Sequence, residues 1–304
     1  MGILMMEIKE MRTAMDELIM YQTGIAITMA CNLKCRLCSN YAPYYLQPKY
    51  HSLDYLKEMM RRYFAVVTHV RKLMFTGGEP LLHIALGPLI DDLCHYRDRI
   101  DIFGVITNGT IVPNQSVLDA AKHFGEKFHF LIDNYDSTLS TKVEETAALL
   151  DEQNIRYILR NYTAEDPHCG GWVDFGDLSQ KKLSQEEAKA LYAKCAYPQK
   201  LHFAFDLVDG AMYPCGPCRR CKELGVTDDY SEYVDLFDDT LTVEDQRRKI
   251  ADIYQKSYLT ACMYCNGMHD DSQRFQPGVQ LTKEELTRVK AGARFYADIG
   301  EQRS

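Results

Sequence analysis

The sequence predicts an α/β fold built on parallel strands, and three observations carry the prediction. From residue 24 to about residue 160, short apolar runs alternate with longer amphipathic stretches, the pattern of βαβ units with right-handed crossovers. Turn residues follow the apolar runs at one consistent end. A hydrophobic fraction of 46% over 304 residues is ample for one large core. Strands are expected over 24–29, where Gly24-Ile25-Ala26-Ile27-Thr28-Met29 reads as buried, over 72–76 (Lys72-Leu73-Met74-Phe75-Thr76), and over 101–107, 127–133 and 155–160. Helices fit the intervening stretches 52–66, 84–97, 115–124 and 139–153. An amphipathic helix is expected over 1–23, where Ile3, Leu4, Met6, Ile8, Met11, Met15, Leu18 and Ile19 are interrupted by charges. Those charges exclude a signal peptide, and no apolar run reaches membrane-spanning length.

Charge and cysteine usage narrow the class. Lys and Arg number 35 against 43 Asp and Glu, a formal charge of −8 that argues against a nucleic-acid surface. Eleven cysteines, odd in number and clustered at ligand-like spacings, suit a reducing cytoplasm rather than a disulfide framework.

Cys31, Cys35 and Cys38 form a C-x3-C-x2-C run directly after the first strand. Three thiolates there can hold an iron–sulfur cluster and leave one iron open. The same spacing also marks one face of a helix, although Asn32, Lys34 and Arg36 make a poor core. Zinc is the stronger rival, but its structural sites usually pair cysteines and close the fourth position. About forty residues on, Gly77-Gly78-Glu79-Pro80 follows the second strand. Two glycines allow a ligand close to the backbone, and the Glu79 carboxylate can accept from an ammonium group.

Together the two motifs resemble those of the radical S-adenosylmethionine (SAM) superfamily. The resemblance implies a partial (β/α)6 TIM-like barrel with its site at the carboxyl ends of the strands. It implies that Cys31, Cys35 and Cys38 hold a [4Fe-4S] cluster whose open iron is chelated by SAM, and that Gly77, Gly78 and Glu79 contact SAM. The residue before the last cysteine, often aromatic in the family, is Leu37 here. Thr107-Asn108-Gly109-Thr110, Asp133-Asn134-Tyr135 and Arg160-Asn161-Tyr162 follow the third, fourth and fifth strands. Asn108, Asp133 and Asn134 are candidates for SAM or substrate contact, and Arg160 for a polar substrate group; turn formation and helix capping would also select these types. The segment 161–184, with the only tryptophan and the pair His168-Cys169, is expected to hold the last barrel strand near Trp172–Phe175 and to cover the pocket.

A second cysteine set follows. Cys195-x14-Gly210-x4-Cys215 brackets a hairpin turning at Val208-Asp209-Gly210, and Cys262-Met263-Tyr264-Cys265 comes after a charged helix at about 243–256. Four such cysteines can fully ligate a second cluster, with zinc as the competing occupant. The arrangement resembles the twitch extension of radical SAM enzymes, a shortened SPASM domain, and implies an auxiliary [4Fe-4S] cluster on a small C-terminal β-hairpin-plus-helix extension. The expected division is 1–23 helix, 24–184 barrel, 185–275 auxiliary-cluster unit and 276–304 helical tail. Cys94 reads as core.

By the same resemblance, an electron from a flavodoxin- or ferredoxin-type donor cleaves SAM to a 5′-deoxyadenosyl radical that abstracts hydrogen from a bound substrate. An auxiliary cluster that accepts the second electron gives dehydrogenation. A thiol that returns hydrogen gives epimerisation, with Cys169, Cys218 and Cys221 as candidate donors, although each also reads as an ordinary buried residue. Length and auxiliary spacing resemble aminocyclitol dehydrogenases. GTP cyclisation is not expected, because the chain end Gly300-Glu301-Gln302-Arg303-Ser304 lacks that family's glycine-arginine-arginine motif. A ribosomal-peptide maturase is the alternative, disfavoured by the short stretch before the first strand. A zinc-stabilised binding protein on the same scaffold is the non-enzymatic alternative. Tyr41, Tyr44, Tyr45 and Tyr50 suit either sugar stacking or packing. The expected function is a radical SAM oxidoreductase or epimerase acting on a sugar-like or aminocyclitol substrate.

Overall fold

The computed structural model describes residues 17–163 and 167–292. Its centre is one eight-stranded sheet in the order β5-β4-β3-β2-β1-β6-β7-β8. The first five strands are β1 (Ile19–Thr28), β2 (His69–Gly77), β3 (Ile100–Thr107), β4 (Phe128–Asn134) and β5 (Tyr157–Asn161), each parallel to its predecessor. They alternate with α1 (Leu53–Val66), α2 (Leu86–Asp92, continued as a 3-10 turn to Arg99), α3 (Gln115–Phe124) and α4 (Val143–Glu152). The fold is therefore the α/β partial, open TIM-like barrel, with an extension on one flank.

Local chemistry explains the crossovers. The Ser52 hydroxyl caps α1 by accepting from the Tyr55 N–H at 3.2 Å, and Asn114 caps α3 in the same way. Leu56, Met59, Met60, Tyr63 and Phe64 recur at helical spacing along α1, and all are buried against the sheet. Phe103 on β3 meets Phe75 and Phe124 at 4.9 Å between ring centres, so aromatic packing fixes the first crossovers to the strands.

Three expectations need correction. The helix expected over 1–23 lies mostly outside the described residues, and Ile19–Thr23 belong to β1, which starts five residues earlier than expected. Trp172–Phe175 form no strand. Trp172 instead exchanges both backbone hydrogen bonds with Phe275, at 2.9 and 2.8 Å, because left-handed backbone at Cys169, Gly170 and Gly171 turns the chain away from β5. The sixth parallel strand is β6 (Phe205–Val208), which pairs with β1 on the opposite flank, Ile25 against Leu207.

The hairpin was correctly placed but is not a separate layer. β6 and β7 (Ala211–Tyr213) are joined through Asp209 and Gly210 at φ 50° and 87°, the left-handed pair of a type I′ turn. The barrel sheet thus continues through the hairpin into β8 (Val234–Asp235). Around it lie α5 (Gln185–Lys194), α6 (Ala196–Gln199), α7 (Gly216–Glu223), α8 (Val243–Gln255) and α9 (Lys283–Lys290). The charged helix expected at about 243–256 is α8, and α9 lies in the expected tail. No helix among the described residues is long and apolar enough to cross a membrane.

Candidate active site

The cysteine loop and the Gly77–Pro80 turn meet at the carboxyl ends of β1 and β2. The register between these strands shifts between Ala26 and Thr28, immediately before the loop. The Gly78 N–H then donates to Thr28 O and the Glu79 N–H to Ala30 O, both at 2.8 Å. A Cβ at Gly77 would lie 2.3 Å from Thr28 O and one at Gly78 2.0 Å from Ala30 O, so only glycine permits this approach. Asn40 closes the contact by donating to Gly77 O at 2.7 Å.

Glu79 is fully buried. Its carboxylate accepts from Leu81 N at 3.0 Å and Asn108 N at 2.8 Å, while burial pushes its pKa up to about 7. A buried carboxylate whose donors, Leu81, Asn108 and Thr107, are all neutral fits an incoming ammonium group. Asn108 donates to Cys31 Sγ at 3.6 Å and to the Asn32 side chain at 3.0 Å, so the turn after β3 braces the cysteine loop. Cys35 is buried, whereas Cys31 and Cys38 are partly exposed. Burial, then repulsion from Cys38, pushes the Cys31 thiol up to about 11, and burial likewise raises Cys35 and Cys38.

Above β4 and β5, Arg160 holds Asp133 in a two-pronged ion pair at 2.5 and 2.8 Å. Burial raises the Asp133 pKa against the pull of that guanidinium. Tyr135 and Tyr162 stack at 5.1 Å beside this pair, and Trp172 meets Tyr135 edge-on at 5.6 Å. Asn134 donates to the Asn161 side chain at 3.0 Å, tying β4 to β5. Cys169 is exposed on the loop next to Tyr162.

The second cysteine set also converges. Cys195, Cys215, Cys262 and Cys265 line one small cavity with Phe175, Tyr197 and Pro217. Cys215 is the N-cap residue of α7, and Cys265 Sγ accepts from Gly267 N at 3.2 Å. Burial raises all four thiols, Cys262 to about 12. Among the described residues, no three of these sulfurs lie within 4.8 Å of one another, and the same holds for Cys31, Cys35 and Cys38.

The candidate donors Cys218 and Cys221 sit together on α7. Both are buried, and the Cys218 thiol points to Glu232 O at 3.9 Å. Both thiols neighbour Cys262 of the second cysteine set. The tyrosine group divides: Tyr41 and Tyr44 are buried, Tyr45 bonds to Glu223 at 2.5 Å and to Arg219, and Tyr50 is 56% exposed.

Several contributors escaped the sequence reading. Gln280 donates to Cys35 Sγ at 3.1 Å and accepts from Lys34 N at 2.6 Å, while Arg36 pairs with Glu285 at 3.1 Å. The Thr282–Glu285 capping box marked a helix start, but not what would precede it against the cysteine loop. Arg219 on α7 is fully buried and reaches both Asn40 O and Glu223. A cavity of about 260 Å³ lies between the ends of β1 and β6, lined by Thr28, Tyr45, Lys49, His51, Asp209 and Glu223 among others.

Comparison with known proteins places this site in a family. Residues 25–163 match the model of the Radical SAM superfamily. The GTP 3′,8-cyclase of Campylobacter lari is 26% identical over 163 residues, 54% of this chain and 48% of that protein. The GTP 3′,8-cyclase of Chlorobaculum tepidum is 36% identical over 102 residues, 33% of this chain and 29% of that protein. The chain thus spans about half or less of the length of these relatives. Among solved structures, Streptococcus suis SuiB bound to S-adenosylmethionine aligns with 98% of this chain and 78% of its own at 13% identity and a TM-score of 0.43–0.44 across its liganded forms. BtrN in complex with AdoMet and 2-DOIA aligns with 87% and 100% at 15% identity and a TM-score of 0.43. Residues 25–163 are a radical SAM domain, the part of the chain that matches that superfamily.

Proposed function

We propose that the protein is a radical SAM oxidoreductase with an auxiliary [4Fe-4S] cluster, acting on a small sugar-like or aminocyclitol alcohol. The carrying observation is the convergence of Cys195, Cys215, Cys262 and Cys265 on one cavity, on a sheet shared with the Cys31–Cys38 loop. Residues 24–184 would hold SAM and its cluster, and 185–275 the second centre. When bound, SAM and its cluster supply a 5′-deoxyadenosyl radical for hydrogen abstraction, and the second cluster supplies an acceptor for the electron left on the substrate.

The chain's own residues set the geometry. Gly77 and Gly78 admit the amino-acid end of SAM to the backbone, and Glu79 accepts from its ammonium group. Asn108 and Gln280 steady the cysteine loop through Cys31 and Cys35. The cavity between β1 and β6 offers Lys49, His51, Asp209 and Glu223 to a substrate's hydroxyl or amino groups, and its size of about 260 Å³ suits a single ring. Cys169 is the exposed candidate thiol for epimerisation, and Cys218 and Cys221 are the buried ones. A peptide substrate is the second reading, favoured by the open concave face of the sheet. There a cavity of about 1110 Å³ runs past Ile102, His129 and Ile158 to Arg160, with Ile158 53% exposed. The electron donor proposed is of the flavodoxin or ferredoxin type.

The test is anaerobic reconstitution with iron and sulfide counts, SAM cleavage under dithionite, and a polyol screen in D2O. About eight irons, falling to about four in Cys195→Ala/Cys265→Ala, with a ketone product free of solvent deuterium, is the expected result. Deuterium at the reacting carbon without oxidation would instead identify an epimerase. Zinc in the second site would refute the two-cluster reading.

A further inference from the structure

Tyr41 is tied to the first cysteine loop by its backbone, and its side chain has Cys265 of the second cysteine set as a neighbour. Its N–H donates to Cys38 O at 2.9 Å, three residues from the last cysteine of the loop. Its ring lies under the Arg220 guanidinium, 5.6 Å from the ring centre, and Arg220 neighbours Cys221 on α7. Tyr41 and Cys38 line a narrow cleft with Val173–Gly176, and Phe175 of that cleft is also a wall of the four-cysteine cavity. The ionisable neighbours of the Tyr41 hydroxyl are, from the strongest, Cys265, Tyr197, Arg219 and Cys221. Cys265 and Tyr197 themselves line the four-cysteine cavity.

That hydroxyl is buried, and it has no hydrogen-bond partner among the described residues. A phenol could have been a phenylalanine at this position at no cost in packing. Burying its polar atom unpaired costs about 1–3 kcal/mol. A sulfur-rich group held by Cys195, Cys215, Cys262 and Cys265 would supply the acceptor.

We propose that Tyr41 donates its O–H to a sulfur of the auxiliary cluster, so that the loop holding the SAM-binding cluster also tunes the second centre. The inference rests on the two-cluster reading above. A donor at a cluster sulfur favours the reduced, more negative state and raises the reduction potential. Because the contact starts three residues from Cys38, a shift of the first loop would be felt at the second site.

The experiment is an EPR-monitored redox titration of the reconstituted holoenzyme, wild type and Tyr41→Phe, which keeps the ring and removes only the hydroxyl. The expected result is about eight irons in both proteins and an auxiliary reduction equilibrium about tenfold less favourable in the variant, ~59 mV for one electron, with the SAM-binding cluster unmoved. One exchangeable-proton hyperfine coupling on the reduced auxiliary cluster, beyond that of the Gly267 N–H on Cys265, should be present in the wild type and lost from the variant, which a packing role alone would not produce. Eight irons with unchanged potentials and an unchanged coupling would overturn the role of Tyr41 and leave the two-cluster reading intact. Four irons in the wild type would remove the auxiliary cluster and the proposal with it.

Discussion

At the scale of single residues, Glu79 has the most to say. Its carboxyl is lifted to about 7 by burial. A free glutamate titrates near ~4.3, so Glu79 binds its proton more tightly folded than unfolded. In the ligand-free protein its contribution to stability is therefore greatest at low pH, declines as pH rises toward 7, and is level above that. An ammonium ligand favours the ionised form and reverses the preference. SAM binding to the cluster-loaded protein should accordingly release close to one proton at pH 6 and take one up at pH 9, where a free α-amino group is mostly neutral, read by calorimetry in buffers of different ionisation enthalpy. Equal proton release at both values would contradict the placement of the ammonium on Glu79. Glu79→Gln should weaken SAM binding by about 2–5 kcal/mol, the cost of losing one partner of a buried charge pair. Arg160→Gln leaves the buried Asp133 without its guanidinium, and a loss of about 3–5 kcal/mol in folding stability is expected by denaturant titration.

At the scale of elements, the turn after β2 and the loop after β1 work as one unit. Gly78→Ala would drive a methyl group to 2.0 Å from Ala30 O and separate them. The expected outcome is a folded protein with about four irons, all in the auxiliary site, and no deoxyadenosine. Eight irons in this variant would mean that the loop tolerates the displacement. The Gln280 contact is subtler, because the amide supplies one hydrogen bond to Cys35 rather than a ligand. Gln280→Leu should keep the iron count and lower the potential of the SAM-binding cluster, while the auxiliary potential stays put.

At the scale of the molecule, the barrel strands and the hairpin that follows them share one sheet, because β6 pairs directly with β1. Phe205 on β6 is fully buried and touches Phe203 and Tyr254 at 5.9 and 5.6 Å. Phe205→Ala should cost about 3–5 kcal/mol. Both halves should also unfold in a single transition, whether followed by far-UV circular dichroism or by cluster absorbance. Two separated transitions would show that the halves are energetically independent despite the shared sheet.

What the sequence determined by itself were the features encoded in short windows. Strand–helix alternation up to Asn161, the C-x3-C-x2-C and Gly77–Pro80 motifs and the Asp209-Gly210 hairpin turn each depend on neighbours within a few residues. All appear where their periodicity or turn chemistry puts them. Cys195, Cys215, Cys262 and Cys265 stood out by type and spacing alone, and they line one cavity. Tertiary structure alone decided which flank of the sheet received the hairpin, since β1 offered a free edge to β6 while glycine-rich backbone steered Trp172 to Phe275 instead of β5. It also decided which way the cysteines of α7 face, turning Cys218 and Cys221 inward, and it brought Gln280 from more than two hundred residues away onto Cys35. Local propensity carries no information about such contacts, because burial and long-range hydrogen bonding settle them only once the whole chain has packed.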